Sequence, residues 1–151
     1  MQRSTGLVSV ERSQFGLWED DPLGESDVHW LQLPMSAESP GVTVGHGAVG
    51  VLSSAQHHYA RVTLERSGAA VPPEGYRPLA RVPYRSRSGR VEAWTLFSGP
   101  AGVTLDLGAE DEDFVLHVFW AADPARLGPG AGFGVPEDAE RFHFVFVPDA
   151  D

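Results

Sequence analysis

Four successive carboxylates, Glu110, Asp111, Glu112 and Asp113, stand between two apolar runs and are the densest charge in the chain. A turn does not need them, because neighbouring like charges repel. Two readings are open. The run is either a solvated acidic turn, or a surface that imitates nucleic-acid phosphates and docks in a basic cleft, where complementary charge mainly raises on-rate and specificity. Glu19, Asp20 and Asp21 form a second acidic patch of the same kind.

The histidines supply the competing chemistry. Neutral imidazole ligates zinc, iron and nickel, and His57, His117 and His143 are the candidates for a metal-binding or small-ligand β protein of cupin-like type. His57 and His58 are adjacent, so on a strand they point to opposite faces and only one can serve a given site. A cupin-like barrel needs two histidines two residues apart with a glutamate soon after, whereas here the pair is contiguous and Glu65 alternates in phase with Tyr59 and Arg61. The spacing favours structural histidines, and no metal or cofactor is expected.

Other chemistries fit less well. Ser53-Ser54 lacks the G-x-S-x-G elbow that exposes a nucleophile at a strand-to-helix turn. The acids cluster in loops with no desolvating neighbours to raise a pKa, as general acid catalysis requires. Residues 45–50 read GHGAVG and formally match the dinucleotide-binding fingerprint. That fingerprint must open a helix within a βαβ unit, and the chain shows no alternating helices, so these glycines are assigned to turns or a bulge. The expectation is a protein that is not an enzyme.

The elements that must position these groups read as strands. Residues 90–120 hold three in a row: an alternating run from 91, a Ser-Gly-Pro-Ala-Gly turn, a strand over 103–107, the acidic link, and an apolar run over 114–120. Before them come strands at 7–10, 15–18 and 28–33, and a segment over 51–65 read as strand from the alternation of His58, Ala60, Val62 and Leu64. Residues 77–85 form an edge strand, because Pro78 and Pro83 cannot donate to a ladder. Residues 121–140 carry prolines and glycines and form a long excursion, and 141–147 closes the chain as a strand. The sum is an all-β, single-domain antiparallel β-sandwich of about nine short strands spanning residues 1–151.

Totals bound the function further. The 151 residues include no cysteine, which excludes a thiol nucleophile, a thiolate metal site and a disulfide scaffold. The net charge of −10 disfavours direct binding to nucleic acid or to an anionic membrane. No apolar run is long enough to span a bilayer and the N-terminus carries no leader pattern, so cytoplasmic residence is expected. Charge is also segregated. Residues 61–90 hold seven of the eleven arginines, among them Arg77, Arg81, Arg85, Arg87 and Arg90 on one hairpin, and are flanked by acidic halves. Internal pairing of the two signs is one consequence, and an acidic surface for a basic protein partner is the other.

In order, the elements VSVERSQF, GAVGVLSS, YRPLARVPY, GRVEAWTLFS, VTLDL and DFVLHVFW resemble those of the competence protein J family, small bacterial β-sandwich proteins. The 121–140 excursion departs from that pattern. The resemblance implies an inhibitor that occludes the nuclease acting on DNA as it enters the cell, and it transfers no contact residue by position. An immunity protein against another toxin has the same sequence signature. On charge, the contact residues are Glu110, Asp111, Glu112 and Asp113, with Glu19, Asp20 and Asp21 as the second patch.

Overall fold

The computed structural model describes residues 2–19, 29–108, 110–123 and 138–149. These residues are all-β, with ten strands and no α-helix among them. In chain order the strands are β1 (Gln2–Glu11), β2 (Gln14–Trp18), β3 (Gly41–Gly45), β4 (Ala48–Leu52) and β5 (His57–Arg66), followed by β6 (Arg77–Arg85), β7 (Arg90–Thr95), β8 (Pro100–Asp106), β9 (Asp113–Ala122) and β10 (Glu140–Pro148). The 121–140 excursion lies mostly outside the described residues.

Hydrogen bonds link the strands in the order β3-β4-β2-β1-β5-β10-β9-β6, and β7 joins at β2 with β8 beyond it. Among the described residues, only β5 and β10 pair in parallel. The β1–β2 corner is a two-residue turn in which Arg12 and Ser13 both have positive φ, 51° and 64°, the geometry that matches strand twist in tight hairpins. Ser13 is clamped there, its N–H donating to Gln56 O at 2.8 Å and its carbonyl accepting from Ser53 N–H at 2.6 Å.

Past that corner the two arms of the sheet face each other. Phe15 of β2 meets Phe142 of β10 edge-on with ring centroids 5.2 Å apart. A Cβ placed on Gly6 of β1 would come within 2.7 Å of Val103 Cγ2 on β8, so only glycine lets these strands lie so close. At the far ends of the path, Gly47 N–H donates to Arg85 O at 3.0 Å and nearly joins the β3–β4 hairpin to β6. The sandwich expectation is therefore corrected to one continuous, nearly closed, barrel-like sheet. Its arms are joined at the β1–β2 corner, where Glu11 pairs with Gln14 across the two-residue turn.

Alternation decides the interior. Val8, Val10, Ala60, Val62, Leu64, Leu116, Val118, Phe142, Phe144 and Phe146 are all fully buried, and each large one contributes about 1.5–3 kcal/mol by leaving water. His57 is exposed and His58 buried, as their opposite directions require. Prolines 78 and 83 lie on β6, which ends the strand path.

Three local readings change. The 51–65 segment is two strands, because residues 53–56 leave the ladder. Residues 30–32 form a 3-10 turn instead of the strand expected over 28–33, with His29 as its cap: Leu31 N–H donates to His29 Nδ1 at 3.1 Å and His29 N–H to Gln32 Oε1 at 2.9 Å. Trp30 is thereby laid over Gly16, where an added Cβ would sit 2.2 Å from Trp30 Cδ2. Residues 45–50 are a hairpin, with Gly47 at φ 69° in its turn, so no dinucleotide-binding helix follows.

Candidate functional site

The acidic run is fastened to the β6–β7 connection. Asp111, at φ 49°, donates its N–H to Arg87 O at 3.3 Å. Ser86 N–H donates to Glu112 O at 2.9 Å, and Glu112 N–H to Ser86 Oγ at 2.9 Å. Backbone bonding thus presents the side chains outward. Asp111 and Asp113 are 61% and 62% exposed, Glu110 is exposed, and Glu112 is half-buried.

Among the described residues, two of the four carboxylates have partners within the chain. Arg85 Nη1 donates to Asp113 Oδ1 at 3.0 Å, and His46 Nε2 lies 3.4 Å from Asp111 Oδ1 and 3.1 Å from Ser86 O. Exposed pairs like these contribute only about 0–1 kcal/mol, so a partner's cation can replace the internal one at little cost. Beside them, where β3 and β6 approach without pairing, is a cleft of about 280 Å³ lined in part by His46, Arg85, Asp113 and Asp149. Glu110, Asp111, Glu112, Asp113 and Asp149 outnumber Arg85 and Arg87 at this end.

Glu19 plays a different part from the one expected of it. Its side chain is fully buried and accepts from Gly89 N–H at 2.8 Å, Arg87 N–H at 3.0 Å, Ser88 Oγ at 3.4 Å and the Tyr84 hydroxyl. Burial, then the charge of Glu19 and its hydrogen bond, holds the Tyr84 hydroxyl well above the ordinary tyrosine pKa. Glu19 is a strut that shapes the β6–β7 turn beneath the acidic run, and it does not face a partner. Asp20 and Asp21 lie outside the described residues.

The three histidines of the metal alternative are not brought together. His57, His117 and His143 share the outer face of β5, β9 and β10, but His143 pairs with Thr63, six residues from His57, or about 20 Å at strand rise. Among the described residues no group of three potential ligands could hold one ion.

A buried cluster that sequence reasoning missed surrounds Glu140. Ser53 Oγ donates to Glu140 Oε1, Ser54 N–H to Oε2 at 3.2 Å and Trp120 Nε1 to Oε2 at 2.8 Å, while His58 Nε2 lies 3.2 Å from Oε1. Burial raises the Glu140 carboxyl, but the bonds from His58, Ser53, Ser54 and Trp120 outweigh it and hold the pKa below the ordinary carboxylate value. Ser53, His58 and Glu140 are the residue types of a hydrolytic triad, yet both Ser53 and Glu140 meet the same histidine nitrogen. His58 Nδ1 has no partner, and the His58 and Glu140 side chains are completely buried. A triad places serine and acid on opposite nitrogens. This cluster instead anchors residues 53–56 to β10, and the only signal for it was the polar Ser53-Ser54 pair beside apolar β4.

No protein-family model matches the chain, and no curated protein does. Among solved structures, ComJ of Bacillus subtilis, described as inhibitor of the DNA-degrading activity of NucA, aligns with a TM-score of 0.58 over 99% of this chain and 96% of ComJ, at 13% identity. The chain folds like ComJ. The product of crocagin biosynthetic gene J aligns with a TM-score of 0.56 over 98% of this chain and 97% of its own, at 12% identity. At these identities the likeness is one of fold, and in that respect the competence protein J resemblance holds. Among the described residues no helix is long and apolar enough to cross a membrane.

Proposed function

We propose that the chain is a non-enzymatic inhibitor that binds a basic protein partner, a nuclease, and blocks its DNA-binding cleft. The observation that carries this reading is the full-length fold likeness to ComJ. The surface chemistry is compatible with it. A nuclease cleft must attract phosphates, and Glu110, Asp111 and Asp113 offer carboxylates on a backbone held by the 86–87 segment. The contact surface is the barrel end formed by Glu110, Asp111, Glu112 and Asp113 and the adjoining cleft at His46 and Asp149. Glu19 supports it from beneath.

Complementary charge steers encounter and is screened by salt over about 8–10 Å at physiological ionic strength. The test is capture of a nuclease from a lysate of the source organism at low and high salt, followed by assay of DNA degradation by the captured enzyme with and without the protein. Wild type should retain the nuclease at low salt and suppress its activity. A Glu110→Gln, Asp111→Asn, Glu112→Gln, Asp113→Asn variant should bind more slowly while unfolding at nearly the same denaturant concentration. Unchanged association kinetics in that variant would remove the acidic run from the contact, and undiminished DNA degradation with saturating protein would remove the inhibitor reading.

A further inference from the structure

The outer face of β1, β5 and β10, remote in sequence from the acidic run, holds a cleft of about 480 Å³ roofed by residues 67–76. That volume lies within the range of small-molecule sites, about 300–1,000 Å³. The roof is tied to β10 by Ser67 N–H to Phe146 O at 3.2 Å and closed within itself by Tyr76 N–H to Pro73 O at 3.1 Å. Its cleft-lining residues are Ser67, Ala69, Val71, Pro72, Pro73 and Tyr76. Val71 is 72% exposed, an apolar rim residue with little packed against it.

The floor is polar and only partly satisfied. Glu65 is 7% exposed, and all three of its hydrogen bonds fall on Oε1: from Arg3 Nε at 3.2 Å, Arg3 Nη2 at 2.7 Å and His143 Nε2 at 3.0 Å. Among the described residues its Oε2 has no hydrogen-bond partner, and it keeps contact with solvent. Arg3 Nη1 likewise has no hydrogen-bond partner among the described residues. Thr5 and Thr63 hydroxyls lie 3.0 Å apart, so one bond between them leaves one O–H free to donate outward. His143 is 6% exposed. Burial lowers its pKa, and the opposing pull of Glu65 does not restore it, so the ring is neutral at pH 7.

This combination selects for a ligand class. Arg3 and Glu65 cancel, so the floor has no net charge while presenting a strong donor beside a strong acceptor. An anion meets the Glu65 carboxylate; a cation meets Arg3, with the Arg141 guanidinium 5.5 Å over the Tyr76 ring nearby. A neutral molecule with adjacent hydroxyls can donate to Glu65 Oε2, accept from Arg3 Nη1 and the free threonine hydroxyl, and lay its C–H face on Tyr76 and the prolines. We propose that this cleft binds a small neutral saccharide, held by Glu65, Arg3, Thr5 and Thr63 beneath Tyr76.

The proposal is independent of nuclease binding. It is tested on the full chain by amide chemical-shift titration with glucose, galactose, ribose and N-acetylglucosamine, each at millimolar concentration, with inorganic phosphate and arginine as charged controls. At least one sugar should give saturable shifts confined to residues 3–5, 63–76 and 143. Tyr76→Ala and Thr5→Val should weaken binding at least tenfold while residues 110–113 keep their wild-type shifts. Glu65→Gln should weaken it as well, and the two milder variants decide the matter if that protein is unfolded. Absence of shifts with every sugar, shifts from phosphate or arginine alone, or equal sugar affinity in Tyr76→Ala would each overturn the assignment. Loss of nuclease inhibition with sugar binding intact would leave it standing.

Discussion

Glu19→Ala tests whether the second acidic patch is a strut or a contact. The substitution leaves the Gly89 and Arg87 N–H groups and the Tyr84 hydroxyl without their acceptor in a buried setting. One unsatisfied buried donor costs about 1–3 kcal/mol. The vacated space admits some water, so the expected loss is about 3–5 kcal/mol, typical of removing one member of a buried charged network. At about 2–4 °C per kcal/mol for a chain of this length, the melting temperature should fall by roughly 6–20 °C. Glu19→Gln keeps an acceptor oxygen and should lose less. Urea unfolding followed by tryptophan fluorescence measures both, with Asp111→Asn as the exposed control, expected within about 0.5 kcal/mol of wild type. A Glu19→Ala loss below about 1 kcal/mol would refute the strut and return Glu19 to the surface patch.

Acid should destabilise the protein in two stages. Glu140, Glu65 and Glu11 all have folded pKa values below the ordinary 4.5, since hydrogen bonds outweigh burial in each, so their stabilisation is complete above 4.5 and lost as pH falls through the folded values. His143 and His117 are lowered from 6.5, chiefly by burial, so the native state resists their protonation and stability already declines as pH drops below 6.5. Urea midpoints between neutral pH and about pH 3 should therefore fall monotonically and steepen below 4.5; a midpoint that rises on acidification contradicts the assignment. Gly16→Val forces Trp30 off β2 and should cost about 1–3 kcal/mol, with a red-shifted tryptophan emission. Glu140→Ala should release residues 53–56, seen as faster amide exchange at Ser54 and Ala55 and a stability loss of about 3–5 kcal/mol.

Much of the strand pattern was legible because period-two alternation is a local property. His58, Ala60, Val62 and Leu64 pointed inward and Arg81 and Arg85 outward, as their spacing required; a bulge between Pro78 and Ala80 breaks that phase and puts Arg77 on the other face, over the Trp120 ring at 4.5 Å. Where the pattern misled, a distant contact had overridden it. The apolar run around Trp30 reads as a strand, but Gly16 lacks a side chain and leaves room for the indole, so the segment turns to cover it. Phe97 continues the alternation of β7 on paper and is 70% exposed. The strand ends at Thr95, whose hydroxyl donates to Gly99 O at 2.9 Å, and Glu11 accepts from Phe97 N–H at 2.7 Å.

The same division applies to function. The sequence by itself determined an all-β chain, its exclusion of thiol chemistry, its charge segregation and the acidic run of Glu110, Asp111, Glu112 and Asp113. Tertiary structure alone decided that Glu19 is buried, that His57, His117 and His143 are not gathered, and that Glu65, Arg3 and His143 share one cleft. Exposure of a carboxylate depends on which backbone amides fold back upon it, and those of Arg87 and Gly89 lie about seventy residues from Glu19. Composition records how many charges a chain carries, and only the sheet's closure determines which of them meet water.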